Sequence, residues 1–107
     1  MTFDELYDSV EALDPSISQT SMFGMRVLKL QGKVFAGAAG DSATFKLPKD
    51  EREAALKLPG VKPYVPMKGR PMKEWVEVPS EQGQEWLRLA ELAKAYVQTR
   101  LDAEHKA

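Results

Sequence analysis

Three short β-rich runs, Met22 to Leu30, Lys33 to Ala39 and Ser42 to Leu47, are separated only by Gln31-Gly32 and Gly40-Asp41. A two-residue gap cannot carry the crossover that a parallel neighbour needs, so these runs must be antiparallel and linked by hairpins. That removes parallel doubly wound architectures for the middle of the chain. The third run alternates, with Ala43, Phe45 and Leu47 on one side and Ser42, Thr44 and Lys46 on the other, which predicts one covered sheet face and one wet face. In the first run, Val27-Leu28 breaks the alternation.

Helical periodicity brackets this sheet. Phe3, Leu6, Tyr7, Val10 and Leu13 recur at helical spacing, Thr2 and Glu5 have the spacing of a capping box, and Pro15 stops the helix. Residues 16–21 are polar and read as a connector. Pro48 to Leu58 forms a second, shorter helix, with Pro48 and the acids Asp50 and Glu51 suited to its first turn and Pro59-Gly60 to its end. Residues 61–66 read as extended, but Pro63 and Pro66 remove ladder donors, so the segment belongs at an edge or is irregular. Residues 67–73 read as a loop and Glu74 to Val78 as the fifth strand. A last helix over about 81–103, with Ser80 as N-cap, carries Trp86, Leu89, Ala90, Ala93, Val97 and Leu101 at the 3.6 period.

The resulting order, α-β-β-β-α-β-β-α, predicts an α+β two-layer sandwich with helices packed on an antiparallel sheet. The first and last helices are expected on the same sheet face, and Trp75 and Trp86 are expected to pack together in the core. With 107 residues, 43% of them apolar, there is material for one core, so 1–107 is read as one domain that folds unaided as a monomer or weak homodimer.

Composition narrows the chemistry. Zero cysteines exclude disulfides, thiolate nucleophiles and cysteine zinc sites, and the single histidine, His105, lies near the C-terminus. No catalytic residue, metal site or cofactor site is therefore expected. No apolar run approaches the roughly 20 residues that span a bilayer, and the acidic start is unlike a secretory leader, so the expected location is cytoplasmic with no membrane partner. The run Gly37-Ala38-Ala39-Gly40-Asp41-Ser42 lacks the Lys-Ser/Thr of a phosphate loop and reads as a hairpin turn. Asp50, Glu51 and Glu53 read as a solvated helix face. The five methionines read as core filler in preference to a methionine-lined groove.

Charge is segregated: residues 1–15 carry a net minus 5, residues 16–73 plus 7 and residues 74–107 minus 3. Within the basic middle, Lys62, Lys68, Arg70 and Lys73 surround the loop before the fifth strand and form a candidate contact for an anion or a partner. The plainer reading is a solvated loop whose cations face the acidic helices. Against nucleic acid stand a net charge of minus 1 and the absence of a recognition-helix or base-stacking motif.

The runs Ser21-Met22-Phe23-Gly24-Met25, Gly32-Lys33-Val34-Phe35-Ala36, Thr44-Phe45-Lys46-Leu47, Gly69-Arg70-Pro71-Met72 and Trp75-Val76-Glu77-Val78-Pro79, in that order, resemble the TfoX N-terminal domain family over nearly the whole chain. A more distant similarity is to the MmcQ/YjbR family. The resemblance implies a compact α+β domain, related to bacterial regulators of natural competence, and it brings no catalytic residues with it. Ending after the last helix, the chain resembles stand-alone members of the family and is expected to lack the C-terminal domain of the full-length regulators. The expected function is a non-enzymatic regulatory or protein-interaction module whose partner is another protein. The alternative is weak nucleic-acid binding through the basic 46–73 region. A small-molecule binder or enzyme is the third reading.

Overall fold

The computed structural model describes residues 1–22, 25–64 and 74–106. The elements are α1 (Phe3–Leu13), β1 (Ile17–Met22), β2 (Met25–Leu30), β3 (Lys33–Ala39), β4 (Ser42–Lys46), α2 (Lys49–Leu56), β5 (Lys62–Pro63), β6 (Trp75–Val78), a 3-10 turn (Ser80–Gln82) and α3 (Gly83–Lys106). The expected elements come in the expected order, with one strand added. Residues 17–22, which their polarity marks as a connector, form β1 and pair with β2 from Ile17 opposite Leu30 to Met22 opposite Met25.

The six strands lie in the order β1-β2-β3-β4-β6-β5, every pair antiparallel. Two-residue connections account for the β2–β3 and β3–β4 hairpins; in the first, Gln31 and Gly32 both adopt positive φ, 50° and 82°, as a tight hairpin turn requires. The register shifts between Leu28 and Lys29, leaving Phe35 without a partner between Val34 and Ala36. This bulge lets both Phe35 and Ala36 reach the same core, whereas the Val27-Leu28 pair keeps its alternation: Leu28 joins that core, and Val27 is buried outside it.

That core lies between the sheet and the two long helices. Phe3, Leu6 and Val10 of α1 and Trp86, Leu89, Ala90, Ala93, Val97 and Leu101 of α3 are buried in one cluster with Leu28, Leu30, Phe45, Val76 and Val78. Both helices therefore cover the same face, as expected. α3 packs against β2, β3, β4 and α1, while α1 packs against α3 and β1, so α1 is the element of the helical layer nearest the β1 edge. α2 packs beside β6 and starts after Pro48, whose extended backbone forms its N-cap. The last helix proper starts at Gly83, two residues beyond the expected 81, because the 3-10 turn takes up Ser80–Gln82.

Two expectations fail on the helix-free face. Thr44 is only 1% exposed, so this face is not uniformly wet. Thr44 is central in the sheet, beside Gly37, and its hydroxyl donates to the Gly37 carbonyl at 3.2 Å, which satisfies the buried group. A Cβ on Gly37 would meet the Thr44 Oγ1 at 3.1 Å, so the approach favours glycine. Trp75 and Trp86 do not pair. Trp75 alternates with the core residue Val76 and lies on the opposite face, where its ring meets Tyr64 at 6.4 Å between centroids.

Leu89 is fully packed between α3 and the sheet. Leu89→Ala should lower unfolding free energy by about 2–5 kcal/mol in urea titration; a loss below about 0.5 kcal/mol would remove it from the core.

Candidate interaction edge

A sheet closed on one face by helices still has two edges, and here they differ in kind. β5 is only two residues long, contains Pro63, and carries Lys62, whose Nζ lies 3.8 Å from Glu77 Oε2. Shortness, proline and charge are the usual devices that stop an edge from pairing. β1 is six residues, Ile-Ser-Gln-Thr-Ser-Met, with no charge, proline or glycine, and residues 18–21 are all exposed.

The backbone of β1 has a defined polarity. The Ile17 amide donates to the Asp14 carbonyl at 3.1 Å, outside the β2 ladder. In an antiparallel strand, alternate residues direct their N–H and C=O groups to opposite sides. Gln19 and Ser21 therefore share the outward side with Ile17, and Ser18 and Thr20 form the ladder with β2. Among the described residues, no backbone partner meets the outward groups of Gln19 and Ser21.

The strand is held rigidly enough to present them. The Arg26 guanidinium on β2 donates to Gln19 Oε1 at 2.8 Å, pairs with Asp4 at the start of α1, and stacks 5.1 Å from the Phe3 ring centroid. At the other end, Asp14 accepts from the Ser16 hydroxyl at 2.6 Å and the Ser16 amide at 3.0 Å, and pairs with Lys94 of α3 at 3.2 Å. These Ser16 bonds, with the Lys94 contact, hold the Asp14 carboxyl below its ordinary range. α1 itself starts with the expected capping box: Glu5 accepts from the Thr2 amide at 2.8 Å and Thr2 Oγ1 accepts from the Glu5 amide at 3.2 Å. The Thr2 amide bond is the main cause of a lowered Glu5 pKa.

Of the residues singled out as a basic contact, Lys62 stands on the blunted opposite edge, 67% exposed and paired with Glu77. Lys68, Arg70 and Lys73 lie outside the described residues. A separate basic notch of about 180 Å³ gathers Lys33, Lys46 and Arg100. Glu104 lines it as well, and two of its cations are engaged by Glu74, which accepts from Tyr96 and pairs with Arg100 at 3.1 Å and Lys46 at 4.0 Å. Burial alone would raise the Glu74 pKa, but the Tyr96 hydrogen bond and these two cations outweigh it and hold it below the ordinary value. The same hydrogen bond raises the Tyr96 phenol.

A larger cleft of about 430 Å³ opens between the start of α1 and the β3–β4 turn, lined by Arg26, Asp4, Ser42 and Trp86. Its strongest cation is already spent on Asp4 and Gln19. The Trp86 indole N–H has no partner but is closed to solvent, so it offers the cleft no donor as the side chains stand. Among the described residues, no group of histidine, aspartate and glutamate is arranged to hold a metal ion, and no helix is long and apolar enough to cross a membrane. The strongest candidate is therefore β1, which the polarity of its sequence concealed. The available signal was Gly24, a residue that interrupts strand patterns, inside the run Met22 to Leu30.

The family model for the TfoX N-terminal domain matches residues 8–99. No curated protein and no solved structure matches the chain.

Two outcomes check this description. Ser21→Pro removes an outward amide and should change stability by less than about 1 kcal/mol, whereas Thr20→Pro removes a ladder donor and should cost more than about 1 kcal/mol, both read in urea titration. Equal costs would refute the assigned alternation. Glu5, Asp14 and Glu74 have folded-state pKa values below their ordinary 4.5, 3.8 and 4.5, so the stability they contribute is present above those values and lost as pH falls through the lower, folded ones. The urea midpoint should hold from pH 7 to about 5.5 and fall below about 4.5, less steeply in Glu74→Gln.

Proposed function

We propose that this chain, which belongs to the TfoX N-terminal domain family, is a non-enzymatic regulatory module that works by taking up an extended segment of a partner protein along β1. The observation that supports this reading is the pair of outward, unpartnered backbone positions at Gln19 and Ser21 on an uncharged, exposed edge. Strand addition obtains its affinity from main-chain hydrogen bonds and its selectivity from neighbouring side chains. Both parts are present here, since α1 lies in the helical layer beside the strand.

A role in bacterial competence or transcription regulation is the biological setting this family membership favours, with regulation exerted through protein contact. Lys46 and Lys62 of the basic middle support it less as a nucleic-acid surface, because Lys46 faces Glu74 and Lys62 faces Glu77.

The test is affinity capture from lysate of the source cell after nuclease treatment, with wild type and Ser21→Pro side by side. The expected result is a protein retained by the wild type and at least tenfold depleted on the variant. Retention that disappears with nuclease would replace this reading with nucleic-acid binding, and equal retention by the proline variant would refute the edge.

A further inference from the structure

We infer that the segment accepted by β1 is basic and belongs to a different protein, not to a second copy of this chain. This rests on the reading of β1 as a docking edge and adds the chemistry of its occupant. An added strand would lie about 4.8 Å beyond β1, with the side chains of one of its faces alongside the helical layer. α1 is the part of that layer nearest the β1 edge.

α1 and its cap residue Asp14 carry five acids and no base. Three are engaged in the scaffold: Asp4 with Arg26, Asp14 with Lys94, and Glu5 in the capping box. Asp8 and Glu11 are exposed, and neither has an ion-pair partner among the described residues. The helix nearest the β1 edge thus keeps two uncompensated acids, whose field extends over about 8 Å at physiological salt. Leu13, 62% exposed where α1 leads toward β1, adds an apolar contact. A segment with lysine or arginine at alternate positions meets both the strand and the acids.

The same charge disfavours self-pairing. Two copies joined antiparallel through β1 would be related by a two-fold axis, which places equal patches together. Both acidic α1 helices would then lie on one face of the joined sheet and flank the junction, repelling each other. Like-charge juxtaposition of this kind is how interfaces reject wrong partners.

The experiment uses two synthetic eight-residue probes, Lys-Thr-Lys-Val-Lys-Thr-Lys-Val and its counterpart with glutamate at every lysine position, titrated into the full chain with amide chemical shifts and fluorescence anisotropy as readouts. The lysine probe should bind at least tenfold more tightly, move the Gln19 and Ser21 amides most, and weaken with added salt. Asp8→Lys combined with Glu11→Lys, two exposed positions without partners, should erase or reverse the preference, while Ser21→Pro should abolish binding of either probe. Equal binding of the two probes, still abolished by Ser21→Pro, would overturn the charge inference and leave the edge reading standing. Binding of the lysine probe that Ser21→Pro does not affect, or no binding of either probe, would overturn both. A dimer of the wild type by sedimentation that Ser21→Pro dissolves would establish the second copy as occupant and overturn this proposal.

Discussion

The contact on which the rest of the structure depends is α3 laid across the middle of the sheet. Its 24 residues present Leu89, Ala90, Ala93 and Val97 to β2, β3 and β4 as a stripe in which two alanines lie between larger groups, so the helix can come close to the sheet. A sheet strand buried on one face only gains its stability from what covers that face, since isolated hairpins are marginal in water. Once α3 occupies the centre, α1 can bury Phe3, Leu6 and Val10 only beside it, over the β1 side. The Asp14–Lys94 pair then ties the end of α1 to α3, and Ser16 turns the chain into β1. The placement of the exposed edge thus follows from the packing at the centre.

The sheet middle and its helices were readable because each depends on an apolar pattern that burial enforces. Phe35, Phe45, Leu47 and the α3 stripe are buried for the same reason that they are conspicuous in sequence. β1 escaped because only Ile17 of its described side chains reaches the core, and a strand without a covered face has no alternation to display. Thr44 was misplaced for a related reason. Side-chain polarity marks a residue as wet unless a partner inside the fold satisfies it, and the Gly37 carbonyl that does so becomes its neighbour only through the β3–β4 register. The Trp75–Trp86 pairing fails because one-residue alternation in β6 sends Trp75 to the face opposite Val76, while α3 holds Trp86 on the other. The candidate site was harder still to read. It consists of backbone groups, and composition says nothing about which carbonyls and amides lack a partner.

Charge segregation gains meaning from this geometry. The acids of residues 1–15 and the bases of residues 16–73 meet where Arg26 pairs with Asp4, and the acids of the last segment meet that basic middle at Glu74 and Glu77. Exposed pairs of this sort each contribute little to stability, in the range of about 0–1 kcal/mol. Their effect is instead on what remains on α1, the helix nearest the long edge, where Asp8 and Glu11 have no ion-pair partner among the described residues.

An unblunted edge is a hazard as well as an opportunity, since the groups that accept a partner strand also accept another copy of the same strand. The usual remedies act on the strand itself, through lysine, proline or a bulge, and they block every partner alike. Here β5 uses them and β1 does not. Placing the charge on the neighbouring helix separates the two outcomes. The backbone of β1 stays available for hydrogen bonding, while repulsion between like helices acts only when the incoming strand brings its own acidic α1. On the proposed reading, discrimination comes from what lies beside the pairing surface, and a partner's extended segment would meet that surface without the penalty that a second copy of the chain would carry with it.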